Sequence, residues 1–346
     1  MNLINRTQLT KQAVGIPENI AMQNNNDGKY PAKKHIPKPP TTHHIEPLPW
    51  QNPKSVEEDP DSPVRIRQLL SSASYRQADQ DVDFLGRDDM RSARLQLDFL
   101  KADVMLKEYG IQHTIVVYGS TRIVEPAVAA QRVRAFREAL AQSPDNQELQ
   151  NKLAIAERIQ AKSHYYDVAR EFGRIVSQSG KGVSDCRLLV MTGGGPGMME
   201  AANRGAFDVG AKTVGLNITL PHEQFPNPYV TPDLCFRFHY FAMRKMHFLL
   251  RAKALVVFPG GYGTFDELFE TLTLIQTRTI KPLPIVLVGR DYWRKAFDVD
   301  FLVSEGVIDL EDRDLFWYAE TAQETWNDIL NWYHEKGELL FPDCGE

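Results

Sequence analysis

Residues 254–274 read ALVVFPGGYGTFDELFETLTL and join a short apolar run, a glycine-rich turn and a segment with apolar residues at helical spacing. The run Ala254–Phe258 is typical of a strand buried on both faces of a parallel sheet. Pro259 ends this strand, and a helix is expected to begin at Thr264. The glycines between them let the backbone turn tightly and approach a ligand, because they carry no Cβ. These glycines are Gly260, Gly261 and Gly263.

A helix that begins directly after such a turn presents unpaired N–H groups and the positive end of its dipole at one spot, which favours a phosphate. Glu267 is the unusual residue here, because it places an acid one turn inside a site suited to an anion. Thr264–Glu267 also has the form of a capping box, in which Glu267 would bond back to the start of the helix. The sequence of the turn alone leaves both interpretations open.

The composition indicates an ordinary soluble chain. Its 346 residues are 42% hydrophobic and 25% charged, which is enough for one large α/β domain with appendages. A formal net charge of -5 argues against a general nucleic-acid binder. The chain has no apolar run of transmembrane length and no signal-peptide core, so we expect no membrane partner.

Cysteine and histidine usage gives no sign of a metal site. The three cysteines are far apart and in no metal-ligand spacing, which indicates a reducing compartment and makes the cytoplasm the expected location. An adjacent pair, His43 and His44, is more typical of a solvated proline-rich segment than of a metal centre. The cysteines are Cys186, Cys235 and Cys344.

Three regions differ in residue pattern. Residues 1–61 are rich in Asn, Pro, His and Lys, and we expect a disordered or extended tail there. Residues 62–110 carry helical spacing and are expected to form a helical lead-in. Residues 111–340 form the main domain, with a helical insertion at about residues 126–160.

The main domain repeats the strand and glycine-turn pattern. The apolar run Thr114–Tyr118 leads into Gly119 and Ser120, with Arg122 close behind as a candidate phosphate partner or a surface residue. The run Leu188–Thr192 leads into a second turn. Two such turns favour a nucleotide or sugar-phosphate site over tight packing alone, but neither is a P-loop or a dinucleotide fingerprint. The second turn contains Gly193, Gly194 and Gly195.

Further apolar runs at Thr213–Leu220 and Ile285–Val288 alternate with helical segments. This alternation predicts an α/β fold with a doubly wound, mostly parallel, Rossmann-like sheet. Ligands bind such sheets at the carboxyl ends of the strands, so both glycine turns are expected on one edge. The helix before the 254–274 stretch carries Arg244 and Lys245, which by pattern alone are more consistent with a solvated helix surface than with a site.

Two motifs carry a resemblance to a known family. Pro259–Glu267 matches P-G-G-x-G-T-x-x-E, and TGGGPGMMEAANRGA at Thr192–Ala206 matches the second glycine motif of the same family. The chain resembles the LOG family of nucleoside 5'-monophosphate phosphoribohydrolases, once labelled possible lysine decarboxylases. The resemblance implies hydrolysis of a nucleotide to free base and ribose 5-phosphate, no cofactor, and a homodimer or higher homo-oligomer.

The resemblance also assigns roles to residues. It implies that Glu267 and Arg244 are catalytic. Phe238, Tyr240 and Met243 are candidates for packing the base, although a role in core packing is expected for at least one of them. The residues expected to hold the phosphate or nucleotide are Gly119, Ser120, Gly193, Gly194, Gly195, Lys245, Gly260, Gly261, Gly263 and Thr264.

One departure concerns the base. Cytokinin-forming members usually read Met-x-x-Arg-Lys, and this chain has Phe241 in place of that methionine. A different subgroup is therefore expected, with an AMP-like purine or related nucleotide as substrate. Three alternatives remain open: a non-catalytic carrier of nucleotide or molybdenum cofactor, a regulatory nucleotide sensor, and a lysine decarboxylase, for which no lysine stands out in a cofactor context.

Overall fold

The computed structural model describes residues 46–185, 187–221 and 225–341. The chain divides into two compact units, Met1–Arg76 and Gln77–Glu346. Most of the predicted tail, with the pair His43 and His44, lies outside the described residues, as do two of the three cysteines.

The described part of the first unit contains one helix, α1 (Ser62–Leu70), with 3-10 turns at Pro49–Gln51 and Ala73–Tyr75. Arg65 on α1 lies 3.1 Å from both Asp59 and Asp61. These pairs are exposed to solvent and contribute little to stability.

The second unit is built on a seven-stranded sheet with the order β4-β3-β2-β1-β5-β6-β7, in which every neighbouring pair is parallel. This confirms the predicted doubly wound, Rossmann-like sheet. Its strands are β1 (His113–Tyr118), β2 (Leu188–Thr192), β3 (Val214–Ile218), β4 (Cys235–Phe238), β5 (Ala252–Val257), β6 (Ile285–Val288) and β7 (Trp317–Ala319).

Helices connect the strands, and two of them, α4 and α5, lie in the segment for which a helical insertion is predicted. None of the helices within the described ranges combines the length and the apolar character needed to cross a membrane. The helices of this unit are α2 (Val82–Leu85), α3 (Arg91–Glu108), α4 (Pro126–Gln142), α5 (Gln147–Gln160), α6 (His164–Gln178), α7 (Met198–Asp208), α8 (Phe241–Leu250), α9 (Tyr262–Gln276), α10 (Arg290–Ala296), α11 (Val299–Ser304) and α12 (Ala322–Glu335).

The sheet is buried on both faces, which explains why its strands read as continuous apolar runs. On β1, Ile115 and Val117 belong to a core packed against α6, α7 and α12. Their neighbours Val116 and Tyr118 belong to a second core, which contains side chains of α3, α8 and α9.

The order of strands reverses at β1. The chain runs outward from β1 through β2, β3 and β4, and then crosses to β5 on the other side of β1. The crevice between the carboxyl ends of β1 and β5 is therefore the topological switch point, where open α/β sheets bind ligands.

Backbone hydrogen bonds lock three turns together at this point. Ser120 N–H donates to the Pro259 carbonyl at 2.9 Å, and Met198 N–H donates to the Ser120 carbonyl at 3.0 Å. Gly197 lies against the first turn, where a Cβ at its position would come within 2.3 Å of the Ser120 carbonyl oxygen. The turns after β1, β2 and β5 are thus fixed relative to one another.

The helix predicted to begin at Thr264 begins two residues earlier. Gly261 occupies the N-cap of α9, and no side chain caps the helix. The segment that follows β6 forms two helices, α10 and α11, and the second begins after Asp298, whose side chain accepts from Phe301 N–H at 3.1 Å.

Candidate functional site

A cavity of about 750 Å³ opens where the three locked turns meet, and its volume lies in the range of small-molecule sites. Helices α5, α8 and α9 complete its walls. The residues predicted as site residues that line it are Gly119, Ser120, Gly193, Arg244, Gly260, Gly261, Gly263, Thr264 and Glu267.

Three predicted nucleotide-binding residues are not among those that line the cavity. Gly194 and Gly195 build the second turn: their carbonyl oxygens accept from Asn227 N and Nδ2 at 2.8 and 2.9 Å. Gly194 has φ +68°, and a Cβ there would lie 2.3 Å from Asn217 Oδ1, so a side chain is excluded for reasons of packing.

Lys245 is held by carboxylates outside the cavity. Its Nζ lies 2.8 Å from Asp266 Oδ1 and 3.2 Å from Glu270 Oε2, both on α9. The lysine therefore ties α8 to α9, and the role in nucleotide binding expected for it does not follow from its position.

Glu267 lies in the second turn of α9 and is 5% exposed. Its Oε1 accepts a hydrogen bond from Arg244 Nη2 at 3.0 Å. The capping-box interpretation is wrong, because the helix starts at Tyr262 and Glu267 pairs across to α8 instead of bonding back to the cap. The acid is thus held inside the cavity and is available to a ligand.

Burial raises the pKa of Glu267 to about 7, although the positive charges of Arg244 and Lys245 act to lower it. Both the carboxylate and the carboxylic acid are therefore populated at neutral pH. A group with a pKa near the working pH is suited to proton transfer. Burial also raises the pKa of the neighbouring Tyr118, which stays neutral.

Aromatic rings lie close to Arg244, the partner of Glu267. The Arg244 guanidinium carbon lies 5.0 Å from the centre of the Phe241 ring and 5.6 Å from that of Phe248. Both distances are within the range of cation–π attraction. Arg244 Nε is buried and has no hydrogen-bond partner in the described part of the chain, so the arginine retains donor capacity that a ligand can satisfy.

The first turn of α9 supplies the anion-binding end of the cavity. Thr264 N–H and Phe265 N–H bond to the Gly261 carbonyl, whereas the N–H groups at the very start of a helix have no intrahelical acceptor. Ser120 Oγ accepts from Arg122 N–H at 3.0 Å and can still donate its own proton. Together these groups can hold a phosphate.

An apolar wall faces the cavity from β3, α7 and α8. The three candidates for base packing are not part of it: Phe238 is 1% exposed in the core, Met243 packs against the same core, and Tyr240 Oη accepts from Arg94 Nε at 3.1 Å. The wall consists instead of Met199, Ile218, Leu220, Phe241 and Phe248.

Helical spacing could have identified part of this wall. Phe241, Arg244 and Phe248 stand at positions i, i+3 and i+7, so they share one face of α8. The same rule applies to α5 and the turn after it, where Ile155, Arg158, Ile159 and Lys162 line the cavity. None of these four was identified from the sequence as a site residue.

Comparisons with known proteins place the chain near one group of enzymes. Residues 199–329 match the family model described as possible lysine decarboxylase. Cytokinin riboside 5'-monophosphate phosphoribohydrolase LOG from Oryza sativa subsp. japonica is 30% identical over 167 residues, which is 47% of this chain and 65% of that protein. Cytokinin riboside 5'-monophosphate phosphoribohydrolase LOG3 from Arabidopsis thaliana is also 30% identical over 167 residues, and the match covers 47% of this chain and 73% of that protein.

Two solved structures match this chain at low similarity. The protein TM1055 is 22% identical with a TM-score of 0.38, and the match covers 63% of this chain and 98% of that one. The Moco carrier protein from Chlamydomonas reinhardtii is 17% identical with a TM-score of 0.37, and the match covers 65% of this chain and 99% of that one. With TM-scores below 0.5, neither likeness carries an argument about function.

The protonation of Glu267 can be measured directly by carbon NMR of glutamate-labelled protein, with Glu267→Gln used to assign the signal. We predict a titration midpoint near pH 7 for its carboxyl carbon, against 4.5 for an unperturbed glutamate. Arg244→Met should move the midpoint higher, because it removes the positive charge that favours the carboxylate. A midpoint near 4.5, or one that Arg244→Met leaves in place, would contradict this description of the pair.

Proposed function

Because this chain belongs to the LOG family, we propose that it hydrolyses the N-glycosidic bond of a nucleoside 5'-monophosphate, an AMP-like purine nucleotide, to free base and ribose 5-phosphate. The observation that carries the proposal is the buried Glu267–Arg244 pair, 3.0 Å apart, in a cavity that also contains the N-terminus of α9. One cavity thus contains both an acid that can gain or lose a proton and a site for an anion. Cleavage of the N-glycosidic bond of a sugar phosphate requires both.

The reaction adds water across the bond between the ribose C1' and the base nitrogen. As that bond breaks, the electron pair leaves with the base and positive charge develops on the ribose ring. The Glu267 carboxylate stabilises this charge and orients the attacking water. It takes a proton from the water, whose oxygen bonds to C1', and the proton is finally carried by the departing base.

Arg244 acts by position and charge. A guanidinium does not give up its proton in a protein, so Arg244 is suited to hold Glu267 and the nucleotide rather than to act as an acid. Its stacking between Phe241 and Phe248 fixes its orientation. Its unused donors can bond to the sugar or the phosphate.

The two ends of the cavity suit the two ends of a nucleotide. The start of α9, with Thr264 and Ser120, holds the 5'-phosphate, and this binding energy fixes the ribose for attack. The apolar wall that includes Phe241 and Leu220 packs against the base. A phenylalanine in place of the usual methionine changes the shape of this wall, which supports a base other than that of the cytokinin-forming relatives.

A non-catalytic carrier of nucleotide or molybdenum cofactor is the alternative with the same fold. Such a carrier needs an anion site but no buried acid with a pKa near 7, so Glu267 favours the hydrolase. A lysine decarboxylase would need a lysine placed to hold pyridoxal phosphate. The lysine that lines the cavity, Lys162, is partly exposed, and its Nζ donates to the Arg158 carbonyl.

The homodimer implied by the family stays a prediction. Phe241, Met246 and Leu250 on α8 are each about half exposed, at 48%, 48% and 53%, which supports an interface on this helix. Sedimentation of the purified protein as a monomer would contradict it. The cytoplasmic location also stays a prediction.

Incubation of the purified protein with AMP, GMP, IMP, CMP, UMP and isopentenyladenosine monophosphate tests the activity, with chromatography to detect free base. We expect base release from at least one purine nucleotide. Glu267→Gln should lower kcat by ~10² to 10⁴, the usual contribution of a general base.

Glu335→Gln is the control, because Glu335 is an exposed glutamate at the end of α12 and is not among the residues that line the cavity. It should retain nearly full activity. Binding of nucleotide with no release of base from any of the six would overturn the hydrolase and favour the carrier.

A further inference from the structure

The insertion formed by α4 and α5 contributes to the cavity although it lies outside residues 199–329, the segment that matches the family model. Arg158 on α5 and Lys162 just after it both line the cavity. α5 ends at Gln160, so Lys162 lies in the turn that follows, and its Nζ donates to the Arg158 carbonyl at 3.1 Å, which keeps it beside the last turn of the helix. The insertion therefore presents two cations to a site whose other walls come mainly from the sheet turns.

These cations have no carboxylate partner in the part of the chain that the structure describes. Within the described ranges, no Asp or Glu lies within 4.0 Å of the charged nitrogens of Arg158, Lys162 or Arg122, which also lines the cavity. Among the described residues that line the cavity, the one carboxylate is Glu267, which pairs with Arg244. The charge balance of the lining thus favours a ligand with more than one negative charge.

Arg122 and Lys162 lie near the glycine turns at the phosphate end, and Arg158 lines the same cavity four residues before Lys162. Arg122 follows Ser120 in the turn after β1. Lys162 shares a neighbouring depression with Tyr292, whose Oη donates to the Gly260 carbonyl of the glycine turn. The apolar wall for the base comes from other elements, namely β3, α7 and α8.

We propose that Arg158 and Lys162, together with Arg122, form a clamp that binds the 5'-phosphate opposite the N-terminus of α9. The identity of the ligand as a nucleoside 5'-monophosphate rests on the proposed function. The helix start supplies fixed N–H donors, and the clamp supplies mobile positive charges that neutralise a phosphate dianion. The insertion is then the element that makes the site select a nucleotide over the corresponding nucleoside.

Calorimetric binding of ribose 5-phosphate tests the clamp without requiring turnover. We expect Arg158→Gln combined with Lys162→Gln to weaken ribose 5-phosphate binding by roughly 10-fold to 100-fold, the size expected for lost charge-assisted hydrogen bonds. Binding of adenosine, which has no phosphate, should be unchanged. Arg134→Gln, an exposed cation of α4 that does not line the cavity, is the matched control and should bind ribose 5-phosphate as the unaltered protein does.

The outcomes separate this proposal from the proposed function. If the double variant loses ribose 5-phosphate binding while no nucleotide is hydrolysed, the clamp stands and the hydrolase does not. If nucleotides are hydrolysed but the double variant binds ribose 5-phosphate as tightly as the unaltered protein, the clamp is wrong. Failure of the unaltered protein to bind ribose 5-phosphate would also overturn the clamp. Unchanged circular dichroism and Tm of the variants would show that they are folded.

Discussion

The buried pair of Arg244 and Glu267 is the interaction on which the cavity depends. Taking two charges out of water costs several kcal/mol per ion, so a buried pair is weak evidence for stability and needs another reason to be present. Here the raised pKa of Glu267 indicates that its carboxylate is only partly compensated by Arg244. Perturbed acids of this kind concentrate at functional sites. A ligand on which positive charge develops would further stabilise the Glu267 carboxylate.

The fold holds this pair in place from two sides. The turns after β1 and β5 are joined at the switch point through Ser120 and Pro259, which fixes the start of α9. Lys245 binds two carboxylates of α9 next to Arg244, so α8 and α9 are tied twice. Lys245, which was expected to contact the nucleotide, thus helps to hold its neighbour Arg244 in place.

Local patterns predicted the sheet and the glycine turns well. Runs such as Ile285–Val288 became strands with those bounds, because a strand buried on both faces leaves a continuous apolar signature. The role of Glu267 was ambiguous in the sequence. A capping box requires α9 to begin just after Thr264, and the sequence does not show whether the glycine turn is already part of the helix. Two helical residues before Thr264 were enough to exclude capping. The cations Arg158 and Lys162 were missed, because the approach of an insertion to a distant sheet edge is decided by tertiary packing. Their spacing in the sequence predicts that they lie near each other, but nothing in it indicated what they contact.

The dependence of kcat/KM on pH tests the central claim most directly, because this quantity reports the ionisation of the free enzyme. If the Glu267 carboxylate stabilises the charge on ribose, kcat/KM should rise tenfold per pH unit below about pH 7 and level off above it. The ionisation of the substrate phosphate also affects kcat/KM. Its contribution can be measured as the pH dependence of binding of a nucleotide analogue that is not cleaved. A kcat/KM that falls as the pH rises through 7 would mean that the protonated acid is the active form. A profile that is flat from pH 5 to 9 would remove Glu267 from the chemistry.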